Sequence, residues 1–154
     1  MNIIEAKTDA EIDAADRIFR EYESWLGLDL CFQGFEEELA GLPGKYSSPD
    51  GRLFLAYSEE DLAGCAALRK IDPGVCEMKR LFVRDQFRRF GIGRLLIDRL
   101  LTAARDIGYR AMRLDTYPAK MWKAVELYRQ YGFVEIPAYY HNPYEGVLFM
   151  ELQL

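Results

Sequence analysis

The residues best placed to do chemistry lie in one stretch, residues 77–96. It holds six cationic side chains in a chain whose formal net charge is −5: Lys79, Arg80, Arg84, Arg88, Arg89 and Arg94. Gly91 and Gly93 lie near its end, where a loop over residues 84–90 is predicted to pass into a helix. Glycines at such a junction let backbone N–H groups surround a phosphate, and the helix dipole adds to the attraction. The pattern therefore indicates a local anion-binding site.

Two other phosphate-binding motifs do not fit this stretch. A dinucleotide fingerprint needs a third glycine three residues after Gly93, and that position is Leu96. A Walker loop needs a Gly-Lys-Ser/Thr sequence, which follows neither Gly91 nor Gly93. A turn shaped by its glycines, with solvated arginines around it, remains the alternative to an anion site.

The elements that position this stretch are predicted from the periodicity of apolar residues. Apolar-rich runs over residues 53–57, 62–68 and 75–83 are separated by short polar turns, which predicts three antiparallel strands. A helix over residues 91–107 and a strand over residues 111–116 follow. This strand–helix–strand order implies a right-handed parallel crossover.

The rest of the chain adds elements on both sides of the crossover. After a strand over residues 2–6, a capping box at Thr8-x-x-Glu11 begins a helix that Gly27 ends. The other predicted elements are helices over residues 32–42 and 118–131 and strands over residues 133–136 and 147–152. The prediction is an α/β fold, one domain over residues 1–154, with a mixed, mostly antiparallel sheet of about six to seven strands flanked by about four helices.

Two motifs resemble those of the GNAT superfamily of acyl-CoA-dependent N-acetyltransferases. Arg88-x-x-Gly91-x-Gly93 matches the family's Arg/Gln-x-x-Gly-x-Gly/Ala pyrophosphate loop, between a strand and a long amphipathic helix. Ala124-x-x-Leu127-Tyr128-x-x-Tyr131-Gly132-Phe133 is similar to a second family element, although Met121 stands where that element often has asparagine. The resemblance covers about residues 53–133 and implies the GNAT fold, with its parallel crossover between the fourth and fifth strands.

The resemblance implies that acetyl-CoA is the cofactor and indicates which residues bind it. The pyrophosphate would lie on the backbone of the glycine loop, and the pantetheine arm would pair with the fourth strand where it separates from the fifth. The implied cofactor-binding residues are Leu81, Phe82 and Val83 on the strand and Arg88, Arg89, Phe90, Gly91, Ile92, Gly93 and Arg94 on the loop.

The resemblance also implies two catalytic residues for acetyl transfer to an amine. An ammonium group with a pKa of about 10.4 is almost entirely protonated at neutral pH, so a base would help to release the nucleophile. Glu77 occupies the position of the family's frequent base, and an ordinary strand residue is the alternative. Tyr128 occupies the position of the usual proton donor to the departing thiolate, and its helical spacing with Ala124 and Tyr131 leaves packing as the alternative.

Aromatic residues lie in both regions that form acceptor pockets in the superfamily. Those proposed to contact substrate are Tyr22, Trp25, Tyr139 and Tyr140. Their rings could hold a cationic amine by cation–π contact, with Asp29 or Asp115 as counter-charge. Core packing or a structured turn is the alternative, and core packing is the preferred interpretation for Phe32 and Phe35.

Composition limits the remaining classes of function. The net charge of −5 argues against nucleic acid and anionic membrane surfaces as partners. The apolar runs are too short to span a bilayer, and the first residues lack a signal-like core, so a cytoplasmic location is expected. Three cysteines without a Cys-x-x-Cys spacing and one histidine, His141, do not form a usual metal-binding set.

The sequence therefore predicts an N-acetyltransferase that moves an acetyl group from acetyl-CoA directly to a primary amine in a ternary complex. The amine is expected on a small molecule. A protein N-terminus or lysine as acceptor, and a non-catalytic acyl-CoA-binding module, are the alternatives. No metal, nucleic acid or membrane partner is expected, and a homodimer is left open.

Overall fold

A computed structural model describes residues 1–154 except for the side chain of Phe32, so the packing expected of that ring lies outside the described part. The helices and strands are β1 (Asn2–Glu5), α1 (Asp9–Leu26), α2 (Phe35–Ala40), β2 (Arg52–Ser58), β3 (Asp61–Asp72), β4 (Val75–Val83), α3 (Ile92–Ile107), β5 (Ala111–Thr116), α4 (Pro118–Tyr131), β6 (Val134–Ile136) and β7 (Leu148–Gln153). Short 3₁₀ turns lie at Cys31–Gln33, Gly44–Tyr46 and Asp85–Phe87.

The strands form one mixed sheet in the order β1-β2-β3-β4-β5-β7-β6. The pairing of β4 with β5 is parallel, and helix α3 makes the crossover between them. The other neighbouring strands pair antiparallel. The predicted α/β class, the mostly antiparallel sheet and the parallel crossover are confirmed.

Strands β4 and β5 separate after a short paired segment. Their register contains three pairs, Val75 with Ala111, Cys76 with Met112 and Glu77 with Arg113. Beyond Glu77 the described register contains no further β4–β5 pair, although β4 continues to Val83. Backbone N–H and C=O groups are obligatory hydrogen-bonding groups, so this opening leaves groups on the β5 side of β4 that can pair with a ligand.

A bulge in β4 accompanies this separation. Arg80 has a φ of 60°, a left-handed conformation that is uncommon for a residue with a side chain. The β3–β4 register shifts at the same place, since Cys65 pairs with Phe82 whereas Ala67 pairs with Lys79. The bulge resets the alternation of side chains, because Met78 and Leu81, which are three residues apart on either side of it, both belong to the core that includes α3.

Helices cover both faces of the sheet. Helix α3 packs on one face through buried residues such as Leu96 and Leu100, and α1 packs on the other through Ile18 and Phe19. Helix α1 has the predicted capping box, in which the Thr8 hydroxyl accepts from the Glu11 N–H at 3.2 Å and the Glu11 carboxylate accepts from the Thr8 N–H at 3.0 Å. Such a cap contributes about 1 kcal/mol to helix stability.

Two predicted elements differ in length from the observed ones. The helix expected over residues 32–42 is a 3₁₀ turn followed by the short helix α2, because Gly34 between them takes a left-handed φ of 70°. Strand β3 extends beyond the predicted residue 68, since Arg69 and Lys70 continue the ladder opposite Glu77 and Cys76. In the described part of the chain no helix is long and apolar enough to cross a membrane.

Candidate active site

The start of α3 presents backbone N–H groups to solvent. Gly91, the residue before the helix, has a φ of 74° and provides no side-chain cap. The first N–H groups of a helix have no partner within the helix, and they lie at the positive end of its dipole. A Cβ placed on Gly91 would meet nothing within 4 Å, so the backbone conformation, and not crowding, is what favours glycine there. This end of α3 can bind an anion.

The arginines nearest this loop are arranged by different contacts. Arg88 donates from Nε to the Val83 carbonyl at 2.9 Å, and its guanidinium lies 4.5 Å from the centre of the Trp25 ring. Arg94 donates to Gln130 at 2.8 Å. Arg89 is exposed beside Phe90, which is 67% exposed.

The other three cations of the stretch lie away from the loop amides. Arg80 donates from Nε and Nη2 to the Glu38 carboxylate, both at 2.9 Å. Arg84 pairs with Glu21, with Nε 2.9 Å from Oε1. Lys79 Nζ lies 3.4 Å from the Asp115 carboxylate. The six cations therefore do not form a single anion site, and Arg88, Arg89 and Arg94 are the ones near the start of α3.

A cavity of about 40 Å³ lies where β4 and β5 separate. Leu81 of β4, Asp115 of β5 and Tyr128 of α4 line it, together with Tyr22 of α1. Asn142 and Tyr144, in the loop before β7, also line it. The cavity therefore connects the free edge of β4 with the regions expected to bind the acceptor.

Tyr128 is buried in this cavity wall. It is 3% exposed, and no hydrogen bond from a described residue reaches its hydroxyl. Burial raises the pKa of the Tyr128 phenol above its ordinary value, and the nearby Tyr22 and Asp115 raise it further. The phenol is therefore protonated at neutral pH and can donate a proton or a hydrogen bond to a group in the cavity.

Tyr22 and Met121 form another part of the wall. Burial raises the pKa of Tyr22 to about 12, so this phenol is also neutral. The Met121 sulfur lies 4.0 Å from the Tyr22 hydroxyl and 3.9 Å from that of Thr116. Met121 has non-helical angles inside α4, with φ of −119° and ψ of 33°. A thioether thus lies at the position where the second of the two motifs described above often has asparagine.

Glu77 lies beside the cavity, outside its described lining. It is 1% exposed; Oε1 accepts from Arg69 Nε at 2.9 Å, and Oε2 accepts from the Tyr139 hydroxyl. The cross-strand neighbours Arg69, Glu77, Arg113 and Glu151 form a row of alternating charge over four strands. Both Glu77 oxygens therefore have hydrogen-bond partners, one in this row and one in Tyr139.

Asp115 is the carboxylate that faces the cavity. Its side chain is 12% exposed and accepts from the Tyr140 hydroxyl at 2.7 Å and from Lys79 at 3.4 Å. Burial acts to raise the pKa of Asp115, but the Lys79 charge and the hydrogen bonds from Tyr140 and Lys79 outweigh it. The net pKa lies below the ordinary value. Asp115 is therefore an anion at neutral pH.

The predicted acceptor residues divide into two groups. Tyr22 and Asp115 line the cavity, and Tyr140 lies behind Asp115, to which its hydroxyl donates a hydrogen bond. Trp25 instead packs against Phe82 at 5.6 Å, and Tyr139 binds Glu77. These two side chains support the walls and the loops around the cavity.

Lys79 and Gln33 were missed as cavity residues by the sequence analysis. The Gln33 side chain accepts from Lys79 at 3.1 Å and from Arg80 at 2.8 Å, and it donates to the Tyr140 hydroxyl at 3.3 Å. A signal was present on β4, because Glu77 and Lys79 occupy alternate positions in a strand whose other residues, apart from Arg80, are apolar. Charged residues two apart share one face, which marked that face as polar.

Other nucleophiles and metal ligands do not gather at this site. Burial raises the pKa of Cys76 to about 12 and also raises that of Cys65, so both thiols stay protonated. Cys31 is exposed. The described residues contain no cluster of three or more His, Cys, Asp or Glu side chains that could hold a metal ion.

Comparison with known proteins gives consistent similarities. Residues 12–133 match the model of the acetyltransferase (GNAT) family. An uncharacterised N-acetyltransferase of Schizosaccharomyces pombe is 36% identical over 156 residues, which cover all of this chain and 95% of the relative. A GNAT-family acetyltransferase structure from Staphylococcus aureus superposes with a TM-score of 0.80 at 19% identity, covering 99% of this chain and 98% of the other. The PaiA N-acetyltransferase of Thermoplasma acidophilum, solved in complex with coenzyme A, gives 0.75 at 17% identity over the whole of both chains.

Proposed function

The chain belongs to the GNAT family of acetyltransferases, and from this premise we propose that it transfers an acetyl group from acetyl-CoA directly to the primary amine of a small molecule. Membership makes it an acyl-CoA-dependent N-acetyltransferase. The proposal adds the small acceptor, the direct transfer and the roles of individual residues.

The described residues fit an acyl-CoA. The uncapped N–H groups at the start of α3, with Arg88, Arg89 and Arg94 around residues 88–94, would hold the pyrophosphate. The free edge of β4 at Leu81, Phe82 and Val83 would pair with the pantetheine arm, although Arg88 already uses the Val83 carbonyl. When bound, acetyl-CoA supplies an acetyl group activated as a thioester. A protein of the same fold has been solved in complex with coenzyme A, which supports an acyl-CoA as the cofactor.

Tyr128 is proposed as the proton donor to the leaving thiolate. Its hydroxyl lies in the cavity at the strand separation, and its raised pKa keeps it protonated at neutral pH, so it can donate a hydrogen bond to the sulfur as negative charge develops there and pass a proton on as the thiol leaves. The absence of a hydrogen bond from the described residues leaves the donor available. This buried phenol, placed between the free strand edge and the acceptor side, is the observation that carries the proposal.

The two acidic residues are proposed to have different tasks. Asp115 faces the cavity and carries a charge, so it can hold the ammonium of the acceptor before transfer. Glu77 is enclosed by Arg69 and Tyr139, and it positions Tyr139 and the loop before β7. The base function inferred for Glu77 from the family resemblance stays a prediction, which a pH profile can test.

The size and closure of the cavity support a small acceptor. A volume of about 40 Å³ has room for about three water molecules. The loops on either side are joined across it, since the Tyr144 hydroxyl accepts from the Asp29 N–H at 2.8 Å and donates to the Asp29 carbonyl at 3.0 Å. A peptide acceptor would have to separate these loops.

Two measurements test the proposed function. Titration calorimetry should detect acetyl-CoA binding, and release of free thiol from acetyl-CoA should accelerate when a panel of small primary amines is added. Binding without amine-dependent thiol release would favour the non-catalytic module. Folded protein that gives neither heat nor a thermal shift with acetyl-CoA or CoA would overturn the proposal.

A further inference from the structure

Lys79 is a buried cation with loose hydrogen bonds. Its side chain is 5% exposed, and Nζ lies 3.1 Å from Gln33 Oε1, 3.4 Å from Asp115 Oδ1 and 4.0 Å from Glu77 Oε1. An ammonium has three donors, and a well-formed charge-assisted bond measures about 2.7–2.9 Å. The nearest partner of Lys79 is thus a neutral amide oxygen, and both carboxylates lie beyond the usual range.

Neighbouring cations do not share this property. The buried Arg80 makes two bonds of 2.9 Å to Glu38, and the half-buried Arg69 has Nε and Nη2 each 2.9 Å from Glu77 Oε1. The looseness is therefore specific to Lys79. Burying a charge costs much free energy unless it is fully paired, so a further anionic group beside Nζ would be strongly favoured.

Lys79 and Asp115 stand side by side in the cavity wall. Asp115 accepts one short bond, from Tyr140 at 2.7 Å, and a carboxylate can accept about four. The wall therefore contains an ammonium that can donate further hydrogen bonds and a carboxylate that can accept further ones. A ligand that carries both charges on neighbouring atoms would satisfy both.

We propose that the acceptor is a small amino acid: its carboxylate binds Lys79, and its amino group lies on Asp115. The proposal rests on the proposed function, since it identifies the class of amine that is acetylated. The small volume agrees with an amino acid that has a short side chain.

The same charges disfavour a polyamine. Lys79 lines the cavity and is almost fully buried, so solvent screens its charge little, whereas the charge of Arg80 is already paired with Glu38. A second ammonium on the acceptor would be repelled where it approached Lys79 Nζ. A carboxylate in the same place would be attracted.

The proposal can be tested by measuring thiol release from acetyl-CoA with a panel of L-amino acids. Each amino acid is compared with its own amide, which lacks the carboxylate. The amide has the less basic amine and more free base, so without recognition of the carboxylate it should react faster. We expect kcat/KM to favour the free acid by at least about 30-fold, the lower end for a buried hydrogen-bonded charge pair. Diamines should be poor acceptors.

Variants locate the effect. Lys79→Met should lower kcat/KM for the acids at least about tenfold more than for their amides, which also lose the charge that faces Asp115, whereas Lys79→Arg should keep part of the preference. Lys70→Met, at an exposed position of β3, is the matched control and should leave both unchanged.

The possible outcomes distinguish a failure of the amino acid acceptor from a failure of the proposed acetyltransferase function. Equal rates for acids and amides, or a preference for diamines, would overturn the amino acid acceptor while the acetyltransferase function stands. If Lys79→Met lowered kcat/KM equally for acids and amides, the role of Lys79 would be to stabilise the thioester carbonyl oxygen or the folded structure, and not to bind the acceptor carboxylate. If no amine of any class accelerated thiol release, the proposed function itself would be rejected.

Discussion

At the scale of single residues, burial decides what each ionisable group can do. Tyr128 and Asp115 both line the cavity, but their surroundings shift their pKa values in opposite directions. Burial without a charged partner keeps the phenol protonated, while Lys79 and Tyr140 keep the carboxylate ionised. The pair therefore supplies one proton donor and one fixed negative charge at neutral pH.

Replacing Tyr128 with phenylalanine removes the donor and keeps the ring. We expect kcat to fall by about 10²-fold to 10⁴-fold, because general acid assistance has this magnitude. The acetyl-CoA dissociation constant should change less than threefold. Since the pKa of Tyr128 is raised, wild-type kcat should not decline up to about pH 10, where an ordinary tyrosine would ionise.

Tyr109→Phe is the matched control for this prediction. Tyr109 donates to the Asp50 carbonyl at 2.6 Å and does not line the cavity, so the loss of its hydroxyl should affect stability and leave kcat unchanged. Unchanged turnover in Tyr128→Phe would remove Tyr128 from the proton transfer.

Glu77→Gln distinguishes a base from a positioning residue. The amide keeps the shape but weakens the bonds to Arg69 and Tyr139, so the free energy of unfolding should fall by about 1–3 kcal/mol. If Glu77 acts by positioning Tyr139, KM for the amine rises more than kcat falls, and the acidic limb of the kcat/KM profile persists. Loss of that limb together with a 10²-fold or larger fall in kcat would support the base role instead.

At the scale of elements, the sequence predicted those whose ends carry local signals. The predicted bounds of β4, β5 and α4 match the observed ones, because Pro118 begins α4, Gly132 ends it and apolar runs mark the two strands. The antiparallel run β2-β3-β4 and the parallel β4–β5 crossover were predicted, whereas the places of β1, β6 and β7 in the sheet depend on long-range pairing and were not. The bulge at Arg80 was also missed, since no residue pattern reveals a left-handed arginine.

The candidate site shows the same division. The loop at Gly91 and the phenol of Tyr128 belong to motifs that are continuous in the chain, so they could be named in advance. Lys79 was grouped with the loop arginines because it is near them in sequence. The alternation of β4 places it on the face of Glu77, where it meets Asp115 from another strand.

The junction between the loop and α3 can be tested with two glycines of one helix. Gly91 and Gly108 flank α3, both have positive φ, and a Cβ on either would meet nothing within 4 Å. Alanine at each should cost about 1–2 kcal/mol of strain. We expect only Gly91→Ala to weaken acetyl-CoA binding, by at least about tenfold, because its Cβ would stand where backbone N–H groups must approach the phosphates.

Calorimetry of both variants with acetyl-CoA, alongside their thermal unfolding, separates strain from binding. Similar losses of stability with unequal losses of affinity would support a phosphate site at Gly91. Equal affinities in the two variants would contradict it.

At the scale of the whole molecule, charges of both signs are interleaved across the acceptor side of the sheet. The row from Arg69 to Glu151 lies next to the pair of Lys79 and Asp115, and Arg80 with Glu38 lies beyond it. The carboxylates lose their charge in acid while the arginines and the lysine keep theirs. Acid should therefore leave buried cations without partners and destabilise the fold as a unit.

Asp115→Asn measures one part of this dependence. The pKa of Asp115 in the folded protein lies below its ordinary value because Lys79, Arg80 and Tyr140 face it. The ionised carboxylate therefore stabilises the fold above about pH 4, and this contribution is lost as pH falls through the lower, folded-state pKa. At pH 7 the variant should be less stable by about 1–3 kcal/mol, and the difference should shrink as pH falls below the folded-state pKa of Asp115. Denaturant unfolding across this range gives both curves, with Asp106→Asn on the exposed side of α3 as control. A difference that stays constant with pH would show that Asp115 contributes shape and hydrogen bonding but no charge to the stability of the sheet.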